Sequence, residues 1–436
     1  MQVQGIIFRK RAVQKYLHRQ DLISMDLRTI AAWSGLLIIF FGGRLMTTDV
    51  AAQYQVAESV YGTRDLFTAE DGWLVSGVRS DSYVPHAPGY SVVLLPAAGI
   101  GLVLGLAAGK VAAAFTGAVA SVLLVLAVKK LAEGFMGPVG LNRFLAVMVG
   151  TMALVYGRMP YDVTTAAALA LWGAWLMQTD RWFAAGILLG AALLVRPDSI
   201  VLLPVYWTEN KNLEKFAFAA AGAFPFVLGI LGYNFYRFGS VLSDGHSQDP
   251  AIALDMFSRG IPGLLLSPGK GLFWYAPLTI LAIFYCGDWR FWSPFVFSLV
   301  LHGFLHDWTG GTGWGPRFLF MVVPVLFMPL MRPGTGGKLF RVLAVVSVLI
   351  TVAAGITDTN ALEQRLGADE FDSQSRQAVV WSPRRSPLLH TVLHPDFTHP
   401  DLLGYHAAGI PGALAQMAAG AALLLYAEKG KRWKRA

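Results

Sequence analysis

Residues 45–55 read LMTTDVAAQYQ, and they follow an apolar run over 27–46 that is long enough to cross a bilayer. The acid in this stretch, Asp49, stands where the first membrane helix should leave the hydrocarbon. Comparable apolar windows recur at 88–108, 111–128, 141–158, 162–178, 182–207, 215–233, 271–287, 291–306, 318–332, 339–356 and 406–427. With the first, they predict an all-α polytopic membrane protein of about twelve transmembrane helices. Of the 436 residues, 55% are hydrophobic and 14% charged, and the mean hydropathy is +0.51. A soluble chain carries about 25% charged residues.

Both chain ends are basic: FRKRAVQKYLHRQDL near the start and EKGKRWKRA at the end. They read as a cytoplasmic arm over 1–26 and a cytoplasmic tail over 428–436, with membrane lipid as their partner. No small-residue cleavage site follows the first apolar run, so that helix is expected to be retained. The net charge of +8 lies mostly at these ends. No basic stripe is interleaved with aromatics, which argues against a nucleic-acid partner. The single cysteine, Cys286, excludes an intrachain disulfide and a thiolate cluster. Between the ends lie a core over 27–332 and C-terminal helices over 333–427. An even number of crossings puts 47–87, 234–270 and 357–405 on the outer face and Arg332–Arg341 inside. Lys129, Lys130 and Arg143 fall outside in this count, which conflicts with the positive-inside rule.

In DVAAQYQVAESVY, Val50, Tyr54, Ala57 and Tyr61 recur at helical spacing, so the first outer loop should open with an amphipathic interfacial helix. Asp49 reads either as a cap of that helix, together with Thr47 and Thr48, or as a functional acid. The loop closes on DSYVPHAPGYSVVLLP, where Pro85, Pro88 and Gly89 fix a turn. His86 and Tyr90 there are either turn and interface residues or lining of a site shared with Asp49.

These two segments resemble the first outer loop of the C-type (GT-C) membrane glycosyltransferases. That superfamily includes the protein O-mannosyltransferases, the lipid A aminoarabinose transferases and bacterial relatives of the RgtA/B/C/D-like group. LVYGRMPYDVTTAAALALWGAWL, LLVRPDSIVLLP, NFYRFGSVLSDGH, LLLSPGKGLFWYAPL and DWTGGTGWGPRFLFMVVPVL resemble further segments in the same order, over roughly residues 27–332. The resemblance implies a polyprenyl-phosphate sugar donor, a glycan, lipid or protein acceptor at the outer face, and inverting displacement. Asp49 matches the acid that serves as general base or binds the activated acceptor. Asp162 matches a second acid, although the helix count places it near the inner face. Asp49 is followed by Val50, not by a second acid as in many mannosyltransferases, so the acceptor class does not carry over.

A carboxylate beside a low-dielectric wall has a raised pKa, which suits a base. The departing lipid phosphate needs fixed cations. Lys270 in SPGKG and Arg317 in GWGPRF stand at helix mouths and are the candidates, against the plainer role of snorkelling cations. Trp308 and Trp314 flank TGGTG and read as an interfacial belt or as packing for sugar or prenyl groups. His302 and His306 are expected on one helical face beside Asp307, near the donor phosphate or simply packed. HTVLHPDFTHPD crowds imidazoles and carboxylates over 390–401, which leaves a divalent metal open. The spacing matches no compact zinc pattern, and no ligand is assigned. A transporter or flippase would show inverted repeats with interrupted helices, and none is visible. A non-catalytic scaffold on the same fold is the other alternative.

Overall fold

The computed structural model describes residues 26–44, 47–70, 72–207, 213–245, 256–369, 372–395 and 397–429. Most of the expected basic arm and tail lie outside them. The helices labelled below are α1 (Leu27–Phe40), α2 (Thr48–Ser59), α3 (Gly89–Leu104), α4 (Leu106–Met136), α5 (Leu141–Val149), α6 (Asp162–Gln178), α7 (Trp182–Val195), α8 (Leu213–Phe238), α9 (Trp289–Gly303), α10 (Gly337–Gly355) and α11 (Leu403–Lys429). Short helical turns are named by their residues. The described residues contain no strand, only isolated bridges from Tyr83 to Thr68 and Val75. Four helices, α4, α8, α10 and α11, are long and apolar enough to cross a membrane by length and composition.

The bundle has two ends, one marked by Asp26 and the other by Asp49. Helix α4 runs antiparallel to α1. Phe41 meets Phe115 with ring centroids 4.7 Å apart, the Trp33 indole donates to Ser121 Oγ at 2.9 Å, and Lys129 pairs with Asp26. Lys129 and Lys130 therefore lie at the Asp26 end, and Arg143 joins Asp26 around a shared cavity there. This removes the charge conflict in the sequence reading. The cause is α3, which does not return to the Asp26 end. It turns back at Gly105, whose φ of +93° suits glycine, and pairs as a hairpin with the first residues of α4. A Cβ at Gly109 would stand 2.7 Å from the Cα of Gly101, so only small residues allow this approach.

The window 182–207 holds an outward and a return pass. Arg196 precedes a proline, which disfavours the helical region, and α7 ends there with Arg196 at φ −147° and ψ 113°. Pro197–Tyr206 then returns as a 3₁₀ helix. At about 2.0 Å per residue its ten residues retrace the fourteen of α7. The Tyr206 hydroxyl donates to Ala170 O at 2.5 Å, and Gln178 Nε2 to Val205 O at 3.3 Å, which fixes this return against α6.

At the Asp49 end, the buried Arg158 ties three segments together. Its guanidinium donates to Phe40 O at 2.8 Å, to Ala354 O and Thr357 O at 3.1 Å each, and to Asp401 Oδ2 at 2.7 Å. Helix α11 packs along α1, and a Cβ at Gly35 would stand 2.7 Å from Gly420 O. The loops collect at the same end: Val78 N donates to Arg237 O at 2.8 Å and Gly269 N to Val380 O at 2.9 Å.

Candidate functional site

Helix α2 starts two residues earlier than a cap at Asp49 would require. The Thr47 side chain takes the cap, accepting from Val50 N at 3.2 Å. Asp49 sits in the first turn, where a negative charge suits the helix dipole and the carboxylate is left for other partners. Its Oδ2 accepts from Arg317 Nη1 at 2.9 Å, and its Oδ1 lies 3.5 Å from His86 Nε2. Arg317 is 268 residues away in sequence. Its side chain is 11% exposed against 24% for Asp49, so the pair is reached by solvent and is not in the sealed core. Arg317 Nε is buried and has no hydrogen-bond partner among the described residues.

Burial alone would raise the Asp49 carboxyl. The charge of Arg317 and the hydrogen bond and charge of His86 outweigh it and hold the group far below the usual carboxylate range. The sequence expectation of a raised pKa is therefore corrected. In this state Asp49 is locked as an anion.

Arg317 is delivered by the loop TGGTGWG, residues 309–315. Gly310, Gly311, Gly313 and Gly315 have φ of +71°, +72°, +148° and +62°, which side chains with a Cβ adopt at a cost. Lys270 is part of the loop's clamp. It is 1% exposed, its Nζ donates to Gly313 O at 2.5 Å, and it bonds Glu363 at 3.1 and 3.2 Å. Glu363 in turn accepts from Gly313 N at 3.2 Å. The placement differs from the expected phosphate cation at a helix mouth, because this ammonium is already committed to a buried carboxylate. On the far side of the loop, the Tyr156 hydroxyl donates to Trp314 O at 2.6 Å.

Asp162 lies at the Asp49 end, not at the end shared with Asp26 where the helix count placed it. It begins α6 and accepts both bonds of a forked contact from Arg196 Nη1, at 3.1 and 3.2 Å. Arg196 also bonds Asp198 at 3.0 and 2.8 Å, and His302 Nε2 is 3.2 Å from Asp198 Oδ2. This second charged cluster is electrostatically coupled to the first, since Asp162, Arg196 and Tyr161 all act on Arg317. The misplacement followed from counting α3 as a crossing.

The remaining candidates divide. Tyr90 is buried, with its hydroxyl 3.3 Å from Thr116 Oγ1 and under the influence of Asp162. Tyr54 turns away and packs its ring end against Gly101 and Gly109 of the hairpin. Trp308 and Trp314 form no interfacial belt. They are 0% and 2% exposed, Trp308 filling the space over Gly263 and Trp314 meeting Tyr275 edge-on at 4.8 Å. Helix α9 ends at Gly303, so His306 does not share a helical face with His302. His306 is exposed, and its carbonyl accepts from Gln377 Nε2 at 3.4 Å.

Sequence reasoning missed Gln53, one turn beyond Asp49 on the same face of α2. It is 1% exposed, and neither of its amide atoms has a partner among the described residues. The i,i+4 spacing from Asp49 was the available signal. It also missed Arg196 and Glu363 as partners of Asp162 and Lys270. Among the described residues, no group of three or more His, Cys, Asp and Glu is placed to hold a metal. Asp396 of the 390–401 stretch lies outside those residues, and Asp401 is engaged by Arg158.

The helical layout, with an acid at the exit of α1 and a long first loop after it, is like that of a solved structure. The structure is similar to ArnT from Cupriavidus metallidurans bound to undecaprenyl phosphate. The TM-score is 0.51 at 14% identity, covering 90% of this chain and 74% of that one. ArnT from the same organism in the apo state gives a TM-score of 0.49 at 13% identity, covering 98% and 78%. No family model and no curated protein sequence matches the chain.

Proposed function

We propose that this protein is an integral-membrane glycosyltransferase that moves a sugar from a polyprenyl-phosphate donor to an acceptor at the extracytoplasmic face, with inversion. The observation that carries the proposal is the Asp49–Arg317 pair at 2.9 Å, set in a fold like that of an ArnT structure that holds undecaprenyl phosphate. An acid and a phosphate-competent cation in contact are what such a displacement requires.

The proposed sequence begins with the donor phosphate taking Arg317, which has an unused Nε donor and a forked geometry suited to phosphate oxygens. Asp49 then loses its main counter-charge, and burial moves its carboxyl upward, towards a useful base. Asp49 removes the proton from an acceptor hydroxyl as that oxygen attacks the anomeric carbon. The bond from that carbon to the phosphate oxygen breaks, and the electron pair leaves with the polyprenyl phosphate, held by Arg317. His86 orients the Asp49 carboxylate through Oδ1. Gln53 offers unpaired donor and acceptor atoms to sugar hydroxyls. In this reading Lys270 and Glu363 position the loop that carries Arg317.

Mass spectrometry of cell-envelope glycans, with the gene intact, deleted and replaced by Asp49→Asn, tests the proposal. Loss of one sugar substituent in both altered strains is expected. An unchanged glycan profile in the deletion strain would remove the proposal.

A further inference from the structure

We propose that a cavity at the Asp26 end, remote from Asp49, binds the phosphodiester group of an anionic phospholipid. Its volume is about 440 Å³, and its lining includes Asp26, Arg28, Lys129, Gly140, Asn142 and Arg143. Lys129 is already neutralised, pairing with Asp26 and, at 3.3 Å, with Glu133. Among the described residues, the two arginines have no carboxylate within ion-pair distance. Arg28 Nε donates to Ala427 O at 3.0 Å; Arg143 Nε donates to Leu330 O at 2.6 Å and its Nη2 to the Thr335 carbonyl. Carbonyl oxygens fix the guanidinium planes but leave their charge uncompensated. Arg28 Nη2 is buried and has no hydrogen-bond partner among the described residues, a costly state that an acceptor oxygen would relieve. Helix α5, nine residues long, starts at the cavity with Gly140 as its cap and no side-chain cap bond, so its first N–H groups are available to an anion.

The charge balance calls for an anion. Arg28, Lys129, Lys130 and Arg143 stand against the two carboxylates Asp26 and Glu133, leaving a positive excess. The apolar surface beside the cavity selects a lipid anion over a free one. Apolar side chains are exposed next to the site in sequence. Leu27 lies between Asp26 and Arg28, and Leu339 adjoins Phe340, whose ring stacks under Arg143 at 3.8 Å. Acyl chains can lie on these residues while the headgroup enters the cavity. Basic pockets between membrane helices take lipid headgroups in this manner.

The test is a titration of delipidated full-length protein in neutral detergent, read by native mass spectrometry and by thermal unfolding. The probes are phosphatidylglycerol, phosphatidylcholine and inorganic phosphate. Phosphatidylglycerol should bind and raise the unfolding temperature, and phosphatidylcholine should do neither. Arg28→Gln and Arg143→Gln should each weaken phosphatidylglycerol binding about tenfold, the loss of one charge-assisted contact. Asn142→Asp keeps the fold, because an acid in the first turn suits α5, and should weaken binding through repulsion. Inorganic phosphate binding tightly, with loss in the same variants, would keep the site but assign it to a free anion. Equal binding of both lipids, or phosphatidylglycerol binding that survives all three substitutions, would overturn the proposal.

Discussion

Replacing Asp49 by asparagine should tighten polyprenyl phosphate binding. In the resting protein the phosphate must displace a carboxylate from Arg317, and that carboxylate is held at 2.9 Å. Exposed ion pairs contribute about 0.2–1 kcal/mol, and breaking a fully buried one costs about 3–5 kcal/mol. With side chains 11% and 24% exposed, this pair falls between those limits, at about 1–2 kcal/mol. Removing the competing charge therefore strengthens phosphate binding by about five- to thirty-fold. Isothermal titration of purified protein with undecaprenyl phosphate, comparing wild type, Asp49→Asn and Arg317→Gln, reads this directly. Arg317→Gln should bind more weakly than wild type. An Asp49→Asn protein with unchanged or weaker affinity would refute the idea that acid and phosphate compete for one guanidinium.

Three other outcomes follow from the same geometry. Lys270→Met leaves Glu363 buried without its counter-charge and should cost about 3–5 kcal/mol of stability, with much of it regained in Lys270→Met/Glu363→Gln; thermal unfolding in detergent measures both. Because Asp49 is held far below the usual carboxylate range, the stability its ion pair supplies is present above the unfolded-state pKa, near 4, and is lost only as pH falls through the lower folded value. The kcat/KM profile, which reports the free enzyme, should accordingly show no acid limb from Asp49 between pH 5 and 8 in wild type, and a limb shifted upward in Arg317→Gln. Trp308→Ala should destabilise the fold by about 3–5 kcal/mol, as for a core aromatic, where a belt residue would cost far less; unfolding midpoints distinguish the two.

Periodicity was a sound guide wherever one apolar run makes one element. The window 162–178 coincides with α6, and the helix expected after Asp49 is α2. It failed where chemistry at a single residue divides a run. Gly105 turns the chain inside LVLGLAAGK without a gap in hydropathy, and Pro197, in the charged step from Arg196 to Asp198 that interrupts the window, converts the end of 182–207 into a returning 3₁₀ segment. The first of these errors moved Asp162 to the wrong end. At the site, Asp49, His86 and Arg317 were readable as neighbours because each stands at a loop–helix junction on one predicted face. Lys270 and Arg317 looked equivalent by that criterion. What separates them is Glu363, 93 residues from Lys270, and sequence offers no local sign of such a pairing. Trp308 and Trp314 have the composition of an interfacial belt, and only tertiary packing over Gly263 and Tyr275 makes them core.

Sugar transfer by the purified protein is the most direct measure of whether Asp49 is the acceptor-activating base. Wild type, Asp49→Asn and Asp49→Glu would be reconstituted with polyprenyl-phosphate sugars and envelope-derived acceptors, and product formation followed by mass spectrometry. Wild type should transfer a sugar with inverted configuration, and Asp49→Asn should fall by about 10²–10⁴ in kcat, the contribution of a positioned base. Asp49→Glu should retain part of the rate. An Asp49→Asn protein that transfers at the wild-type rate would contradict the account at its centre.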